Sequence, residues 1–434
     1  MPSMRTGLWR LARRLAGILV FTGILLGGLE VGLRAFPAEL IPMSWLKRFQ
    51  SDLRVEIAER LSLPNENQMW ELPRDDDGPS LQLYRPQART EQTFGIRERS
   101  DVTRDAQGFC NPPRDRYDLA TIDVVVLGDS FAECVAAGPA ATWASRIGEL
   151  TGLSVYNLGK GGIGPYDYLQ ILRHFGLPKS PEIVVMSIYE GNDLRDSVRH
   201  HDHVAAVRSG GSGYADAADR FEPEIDYEAL LDKPFVRRSY ALNVGAVALG
   251  KAREGIGNAV ARAAGTKPER IDFRYELRFD DAIVPFNVQN ADHAEVRYAR
   301  RLRRGEVELA ALEAALERFV ALGDEHGFMP VVAYAPSAYT AYADFVAFED
   351  DALAALMPWF SATQRAWLRE RTEALEVAFL DLTHPLRREA RLLQAEELLY
   401  HPAHVHYTPS GHRVVGEALA AAIEELRDQA DGSR

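Results

Sequence analysis

The stretch that decides the fold is 122-IDVVVLGDSF-131. Its run of valines carries no polar alternation, as expected of a strand buried on both faces of a parallel sheet rather than one with a wet side. The pattern repeats outward. TWASRIGEL (142–150) is amphipathic, LSVYNLG (153–159) reads as a second short strand, DYLQILRHF (167–175) as a helix and EIVVMSIYEGND (182–193) as a third strand. Farther on, GEVELAALEAALERFVALGDEHG (305–327) predicts a long amphipathic helix, MPVVAYAP (329–336) a buried strand, TQRAWLRERTEALE (363–376) a helix and VAFLDLT (377–383) a fifth strand. Thr408-Pro409 looks like an N-cap followed by proline at the first helical position, and Val415, Leu419, Ile423 and Leu426 fall on one face after it. Strands alternating with helices in this way indicate a three-layer α/β domain around a parallel sheet.

Two tracts fall outside this rhythm. Residues 37–120 are irregular and polar and read as a lead segment wrapping the core. Residues 195–304 hold a flexible SGGSG tract at 209–213, a small-residue helical stretch from Tyr240 to Ala264, and YELRFDDAIVPFNV (275–288), which alternates as a hairpin would. This is a large insertion or a small cap subdomain within a domain running over 121–430. No internal repeat is apparent.

The chain has 434 residues, of which 46% are hydrophobic and 26% charged, a globular composition. A net charge of -13 argues against a nucleic-acid partner. The charge is unevenly spread. Up to Phe36 there are five arginines and only Glu30, a net +4, leaving about -17 for the rest. Arg5, Arg10, Arg13 and Arg14 precede an uncharged apolar run from Leu15 to Leu29, and continuing to Leu33 gives 19 residues, roughly 28 Å of helix. Residues 1–36 therefore read as a membrane anchor, with a cleaved signal peptide or a buried helix as alternatives. The arginines would stay inside, placing the remainder in the periplasm or outside the cell. Glu30 and Arg34, four apart, could pair. Cys110 and Cys134, the two cysteines, exclude a disulfide scaffold and a four-cysteine zinc site. They read as two buried small hydrophobes, with a bond open in an oxidising compartment.

Ligands of open α/β sheets bind beyond the carboxyl ends of the strands. Those ends carry Gly128-Asp129-Ser130, then Asn157 with a glycine-rich loop to Gly164, then Gly191-Asn192-Asp193, and finally the histidine-rich stretch before the last helix. Each type suits acyl transfer. Ser130 at a strand-to-helix turn would offer a hydroxyl nucleophile. Gly162 lets a backbone N–H approach an oxyanion, and Asn192 can donate a side-chain N–H to the same oxygen. A histidine would take the serine proton. Singly, the serine could be an N-cap, the glycines a tight turn and Asn192 a turn residue. A dinucleotide or phosphate loop is disfavoured by its position and by the missing lysine motif.

Taken in order, GDS at 128–130, NLGKGG ending at Gly162, GND at 191–193 and a terminal histidine resemble the four blocks of the SGNH, or GDSL-type, hydrolases over roughly residues 105–425. DAQGFCNPP (105–113) and FLDLT (379–383) look like its membrane-anchored bacterial members. The resemblance implies a flavodoxin-like fold, Ser130 as nucleophile, and an oxyanion hole from the Ser130 amide, Gly162 and Asn192. It implies no cofactor. The activity it implies is extracytoplasmic hydrolysis of an acyl ester, on an O-acetylated envelope or exported polysaccharide, or acetyl transfer to a sugar.

The last block departs from the family. HPAHVHYTPSGH (401–412) holds four of the eleven histidines. Aligning its helix start makes His406 the general base, and His404 or Ala403 then stands where the family has aspartate. A backbone carbonyl could orient His406, Asp381 or Glu397 could reach in, or the chain could be a non-catalytic carbohydrate-binding or scaffold protein on this fold. The histidine spacing matches no zinc motif, so no metal is expected, and His412 is expected to face solvent or support the site from the first helical turn.

Overall fold

In this computed structural model the described residues are 69–93, 99–113, 117–210, 239–249, 273–286, 293–402 and 404–432, with 17, 24–25, 27–35, 53 and 56–57 ahead of them. The lead segment is more ordered than its composition suggests. It forms two antiparallel hairpins, β1 (Met69–Leu72) with β2 (Leu81–Tyr84) and β3 (Arg89–Thr93) with β4 (Arg99–Thr103). The valine run is β5 (Val124–Leu127), followed by α1 (Trp143–Thr151), β6 (Val155–Asn157), α2 (Pro165–Ile171), β7 (Ile183–Tyr189) and α3 (Asp193–Arg208).

The hairpin expected at 275–288 is present as β8 (Tyr275–Arg278) with β9 (Ile283–Phe286). After α4 (His293–Arg303) and α5 (Glu313–His326) come β10 (Met329–Ala335), the short α6 (Ala338–Ala341) and β11 (Val346–Phe348), which pairs with β8. The chain finishes with α7 (Asp351–Ala374), β12 (Ala378–Asp381), α8 (Thr383–Leu393) and α9 (Pro409–Gly432).

The five-stranded sheet runs in the order β12-β10-β7-β5-β6, and every pairing in it is parallel. Numbered along the chain this is 2-1-3-4-5, the flavodoxin-like order. The absence of polar alternation in β5 is explained by what lies on each side. Val124 and Val126 face one core with Trp143 and Ile147 of α1 and Leu419 and Ile423 of α9. Val125 and Leu127 face the other, with Leu169 of α2 and Leu316 and Phe319 of α5. That second core also takes Leu72, Leu81, Leu83 and Phe109 from the lead segment. Each fully buried aliphatic side chain of this kind contributes about 1.5–3 kcal/mol. The last helix starts as expected, with Thr408 Oγ1 accepting the Gly411 N–H at 3.2 Å.

Chain contacts divide the molecule into residues 68–216 with 270–434, which carry the sheet, and residues 1–67 with 217–269. The division differs from an insertion spanning 195–304, because α3, the β8–β9 hairpin and α4 all belong with the sheet. In the other unit Glu30 pairs with Arg34 at 2.8 Å and accepts the backbone N–H groups of Tyr240 and Ala241, at the start of a helical stretch over 240–249. Most of the basic, apolar head lies outside the described residues. Among the described residues no helix is long and apolar enough to cross a membrane.

Cys110 and Cys134 are joined in a disulfide, contrary to the expectation of two separate buried thiols. The lead segment lays Cys110 beside the turn after β5, a proximity that their separation in sequence does not announce.

Candidate active site

The nucleophile turn follows β5 directly. The Asp129 backbone carbonyl accepts the N–H groups of Ala132 and Glu133 at 3.1 and 3.0 Å, and its carboxylate Oδ1 accepts that of Phe131 at 2.8 Å. This makes a tight turn rather than the expected helix start, since the first α-helix after β5 begins only at Trp143, behind a short 3-10 turn at Pro139–Ala141. The Trp143 indole N–H donates to the Phe131 carbonyl at 2.8 Å and pins the turn from below. Ser130 sits at its crest. His406 Nε2 lies 2.9 Å from Ser130 Oγ, within reach for proton transfer.

The glycine-rich loop is fitted against this turn. Lys160 N–H donates to the Gly128 carbonyl at 3.0 Å and Gly161 N–H to Glu133 Oε2 at 2.5 Å. A Cβ on Gly159 would come within 2.7 Å of the Ala132 carbonyl carbon and the Glu133 nitrogen, so only glycine lets the two backbones approach. Gly162 has φ +78°, the left-handed region that glycine adopts without strain. Among the described residues, no hydrogen bond takes up the backbone N–H of Ser130 or of Gly162. Both donors remain for an oxyanion.

Asn192 stands at the start of α3. Its side-chain N–H donates to Asp196 Oδ2 at 2.8 Å, while Arg195 grips the same carboxylate at 2.8 and 3.1 Å. One amide hydrogen is thereby committed to Asp196. The Asn192 amide also reaches the buried Asp129 carboxyl, whose pKa burial raises to about 7.

The histidine loop is folded back on itself. Tyr400 and Tyr407 form a bridge, His401 N–H donates to the His406 carbonyl at 2.8 Å, and Val405 N–H donates to the His401 carbonyl at 2.8 Å. Val405 has φ +57°, an unusual conformation for a β-branched residue. The turn it makes places His404 Nδ1 3.2 Å from His406 Nδ1. Phe131 stacks on the His406 ring at 5.0 Å and on Tyr189 at 3.8 Å, which fixes the plane of the imidazole. Burial lowers the His406 pKa to about 4, opposed by a hydrogen bond to the His404 carbonyl and by the charge of Glu133. Burial also takes His404 down to about 3, helped by the charges of its histidine neighbours.

The donor and acceptor roles of the two rings depend on the tautomer and follow from the direction of proton transfer the site would use. To accept the Ser130 proton, His406 must leave Nε2 unprotonated, so its proton is on Nδ1. His404 must then receive that N–H on an unprotonated Nδ1 and carry its own proton on Nε2. The position where the resemblance leads one to expect aspartate thus holds a neutral acceptor, backed by the His404 carbonyl.

Neither acidic alternative touches His406 in the described structure. Asp381 lies 3.6 Å from both Arg365 and Arg369 and accepts the Thr383 N–H at 3.0 Å, because β12 is the edge strand farthest along the sheet. Glu397 accepts a hydrogen bond from Ser410 at the start of α9. His412 is not solvent-facing. It is buried, its Nδ1 accepts the first N–H of α1, from Trp143, at 3.3 Å, and burial lowers its pKa to about 3. It meets a helix N-terminal donor that has no partner within its own helix. Among the described residues, no group of three or more histidine, cysteine or acidic side chains is placed to hold a metal ion.

Sequence reading missed Glu133 and Arg104, a fully buried ion pair beneath the site. Glu133 lies three residues after the nucleophile and was open to notice. Arg104 lies in the unassigned lead segment, where no local pattern marks it.

Ser130, Gly162, Asn192 and His406 therefore meet on the carboxyl edge of a flavodoxin-like sheet, the pattern of the SGNH hydrolases. No protein-family model and no curated protein matches the sequence. Among solved structures the chain is similar to a G-D-S-L family lipolytic protein from Desulfitobacterium hafniense, at 11% identity and TM-score 0.33 over 69% of this chain and 99% of that one. It is similar to a GDSL-like lipase from Parabacteroides merdae, at 11% identity and TM-score 0.34 over 71% and 98%. A third is an acetylxylan esterase from Geobacillus stearothermophilus, at 12% identity and TM-score 0.32 over 69% and 94%. At these scores the likenesses carry no argument, and the fold and site stand on the strand order and geometry of the chain itself.

Proposed function

We propose that the protein is a serine ester hydrolase of SGNH type. The observation that carries this is the 2.9 Å contact between His406 Nε2 and Ser130 Oγ, set beside two uncommitted backbone amides. Ser130 Oγ attacks the ester carbonyl carbon as its proton passes to His406 Nε2. The carbonyl oxygen becomes an oxyanion held by the N–H groups of Ser130 and Gly162 and by the Asn192 amide, and each such donor is worth about 100- to 1000-fold in rate. Collapse expels the alcohol, which takes the proton from His406. Water then repeats the sequence on the acyl-serine and releases the acid.

The finer reading is that the enzyme is anchored by residues 1–36 and works outside the cytoplasm on O-acyl groups of an envelope or exported polysaccharide. The arginine-flanked apolar run and the resemblance to anchored relatives support it, and a Cys110–Cys134 bond suits an oxidising compartment. A second reading, a non-catalytic binding protein, is favoured by one feature: the residue at hydrogen-bond distance from His406 Nδ1 is a neutral histidine, not an acid.

A fluorophosphonate probe and acetyl-ester hydrolysis, applied to the full chain in detergent, separate the two. Labelling and turnover that disappear in Ser130→Ala support the enzyme, and no labelling with no turnover at any pH overturns it. For topology, a C-terminal reporter active only in the cytoplasm would refute the orientation.

A further inference from the structure

Lys160, inside the glycine-rich loop, has no part in the mechanism above, yet its ammonium is held in a specific place. Its backbone N–H is tied to the Gly128 carbonyl at 3.0 Å, and its Nζ turns back to donate to the Gly161 carbonyl at 2.7 Å. The Gly161 carbonyl belongs to the same peptide unit as the Gly162 N–H. That peptide is trans, like the others among the described residues, so its carbonyl and its N–H point in opposite directions. A cation on the carbonyl side therefore draws electron density away from the N–H on the other side and strengthens it as a donor, by the cooperativity of linked hydrogen bonds.

The surroundings keep this charge effective. Lys160 is partly buried, beside the Tyr84 ring at 5.7 Å, where screening by water is reduced. Of the two carboxylates whose charge acts on Lys160, Glu133 is already engaged by Arg104 and by the Gly161 N–H, and Asp167 by Arg74. The Arg104, Glu133 and Lys160 side chains thus sum to one positive charge beside the oxyanion loop. Glu133 on the Gly161 N–H and Lys160 on the Gly161 carbonyl also hold consecutive peptide units from either side, which fixes the direction of the Gly162 donor.

We propose that Lys160 is a positioning residue of the oxyanion hole, polarising the Gly161–Gly162 peptide so that the Gly162 N–H binds the developing oxyanion more strongly than it binds the neutral ester. The proposal rests on the esterase reading and deepens it. It predicts an effect on the transition state and little on ground-state binding.

The test compares wild type, Lys160→Met and Lys160→Cys on an uncharged acetyl ester. Lys160→Met keeps most of the apolar stem, and should lower kcat roughly 10- to 100-fold, with KM within about threefold and an unchanged melting temperature. Affinity for an alkyl boronic acid, whose serine adduct is a tetrahedral anion, should fall by the same factor as kcat/KM. Lys160→Cys should behave like Lys160→Met and recover when alkylated with 2-bromoethylamine, which rebuilds the cation on a lysine-length chain; the native cysteines are already bonded to each other. An active wild type with unchanged kcat in Lys160→Met, a loss confined to KM, or no recovery on alkylation overturns the proposal alone. A wild type with no Ser130-dependent turnover removes the esterase reading and this proposal with it.

Discussion

His404 and His406 face each other Nδ1 to Nδ1 at 3.2 Å, so one ring nitrogen must donate and the other accept. With His406 as the base toward Ser130, His404 is the acceptor, and it orients the base without lending it a negative charge. In serine proteases, neutralising the equivalent acid lowers turnover about 10,000-fold.

The first prediction follows from that deficit. The Oδ1 of an aspartate occupies nearly the same position along its side chain as the Nδ1 of a histidine. His404→Asp should therefore keep the hydrogen bond, add the charge, and raise kcat by roughly 10-fold or more. It should also move the acid limb of the kcat/KM profile upward from the pKa of about 4 that burial imposes on His406. His404→Asn, an acceptor without charge, should stay near wild type. A His404→Asp variant no faster than His404→Asn would show that the charge is not what this site lacks.

A second prediction concerns stability and pH. In the unfolded chain His412 binds a proton near its ordinary 6.5, whereas burial holds it neutral to about 3 in the folded protein. The unfolded state therefore binds more protons in this window. Stability from the neutral, hydrogen-bonded ring is complete above about pH 6.5 and is lost as pH falls toward 3. His412→Asn preserves an acceptor for the Trp143 N–H and does not titrate. Its urea midpoint should fall less steeply between pH 6.5 and pH 4 than that of wild type, and parallel curves would exclude His412 as a source of the slope.

Val405 supplies a third. Holding a β-branched residue at φ +57° costs on the order of 1–3 kcal/mol, and glycine removes that strain at an entropic cost of up to about 1 kcal/mol. Val405→Gly should leave stability unchanged or raise it by about 1–2 kcal/mol in denaturant titrations. Because the substitution also loosens the loop that sets the His404–His406 contact, kcat should fall severalfold. A gain in both quantities would mean that the strained turn is not needed to hold His406.

The buried Arg104–Glu133 pair gives a fourth. Arg104→Met leaves the Glu133 carboxylate buried without its cation, at a cost of about 3–5 kcal/mol. Glu133 also holds the Gly161 N–H, so the loss should appear in catalysis as well as in the unfolding midpoint. Arg104→Met combined with Glu133→Gln should recover much of the stability, since the amide oxygen still accepts from Gly161 and no charge is stranded. Additive losses in the double variant would contradict the pairing.

Much of the site was legible because its residues are local to strand ends. Ser130, Gly162 and Asn192 each follow a short apolar run, and the parallel order of those runs carries the three to one edge. His406 could be placed by counting back from the Thr408-Pro409 helix start. What could not be read was anything resting on contacts across the chain. Asp381 and Glu397 were plausible acids by proximity in sequence, but edge-strand placement gives one to Arg365 and Arg369, and a helix start gives the other to Ser410. His412, which its place in a first helical turn left either facing solvent or supporting the site, is buried because α9 packs on α1. The Cys110–Cys134 bond, left open by the sequence, could not be decided for the same reason.

The sequence by itself determined the sheet, its two-sided burial and the candidates for nucleophile, base and oxyanion donors. These depend on periodicity and on residue type at strand ends, both properties of short segments. Tertiary structure alone decided what surrounds them: which nitrogen of His406 faces Ser130, what stands behind it, and how Arg104, Glu133 and Lys160 meet at one loop. Those outcomes are set by backbone direction at single residues such as Val405 and by packing between distant segments, neither of which a local pattern encodes.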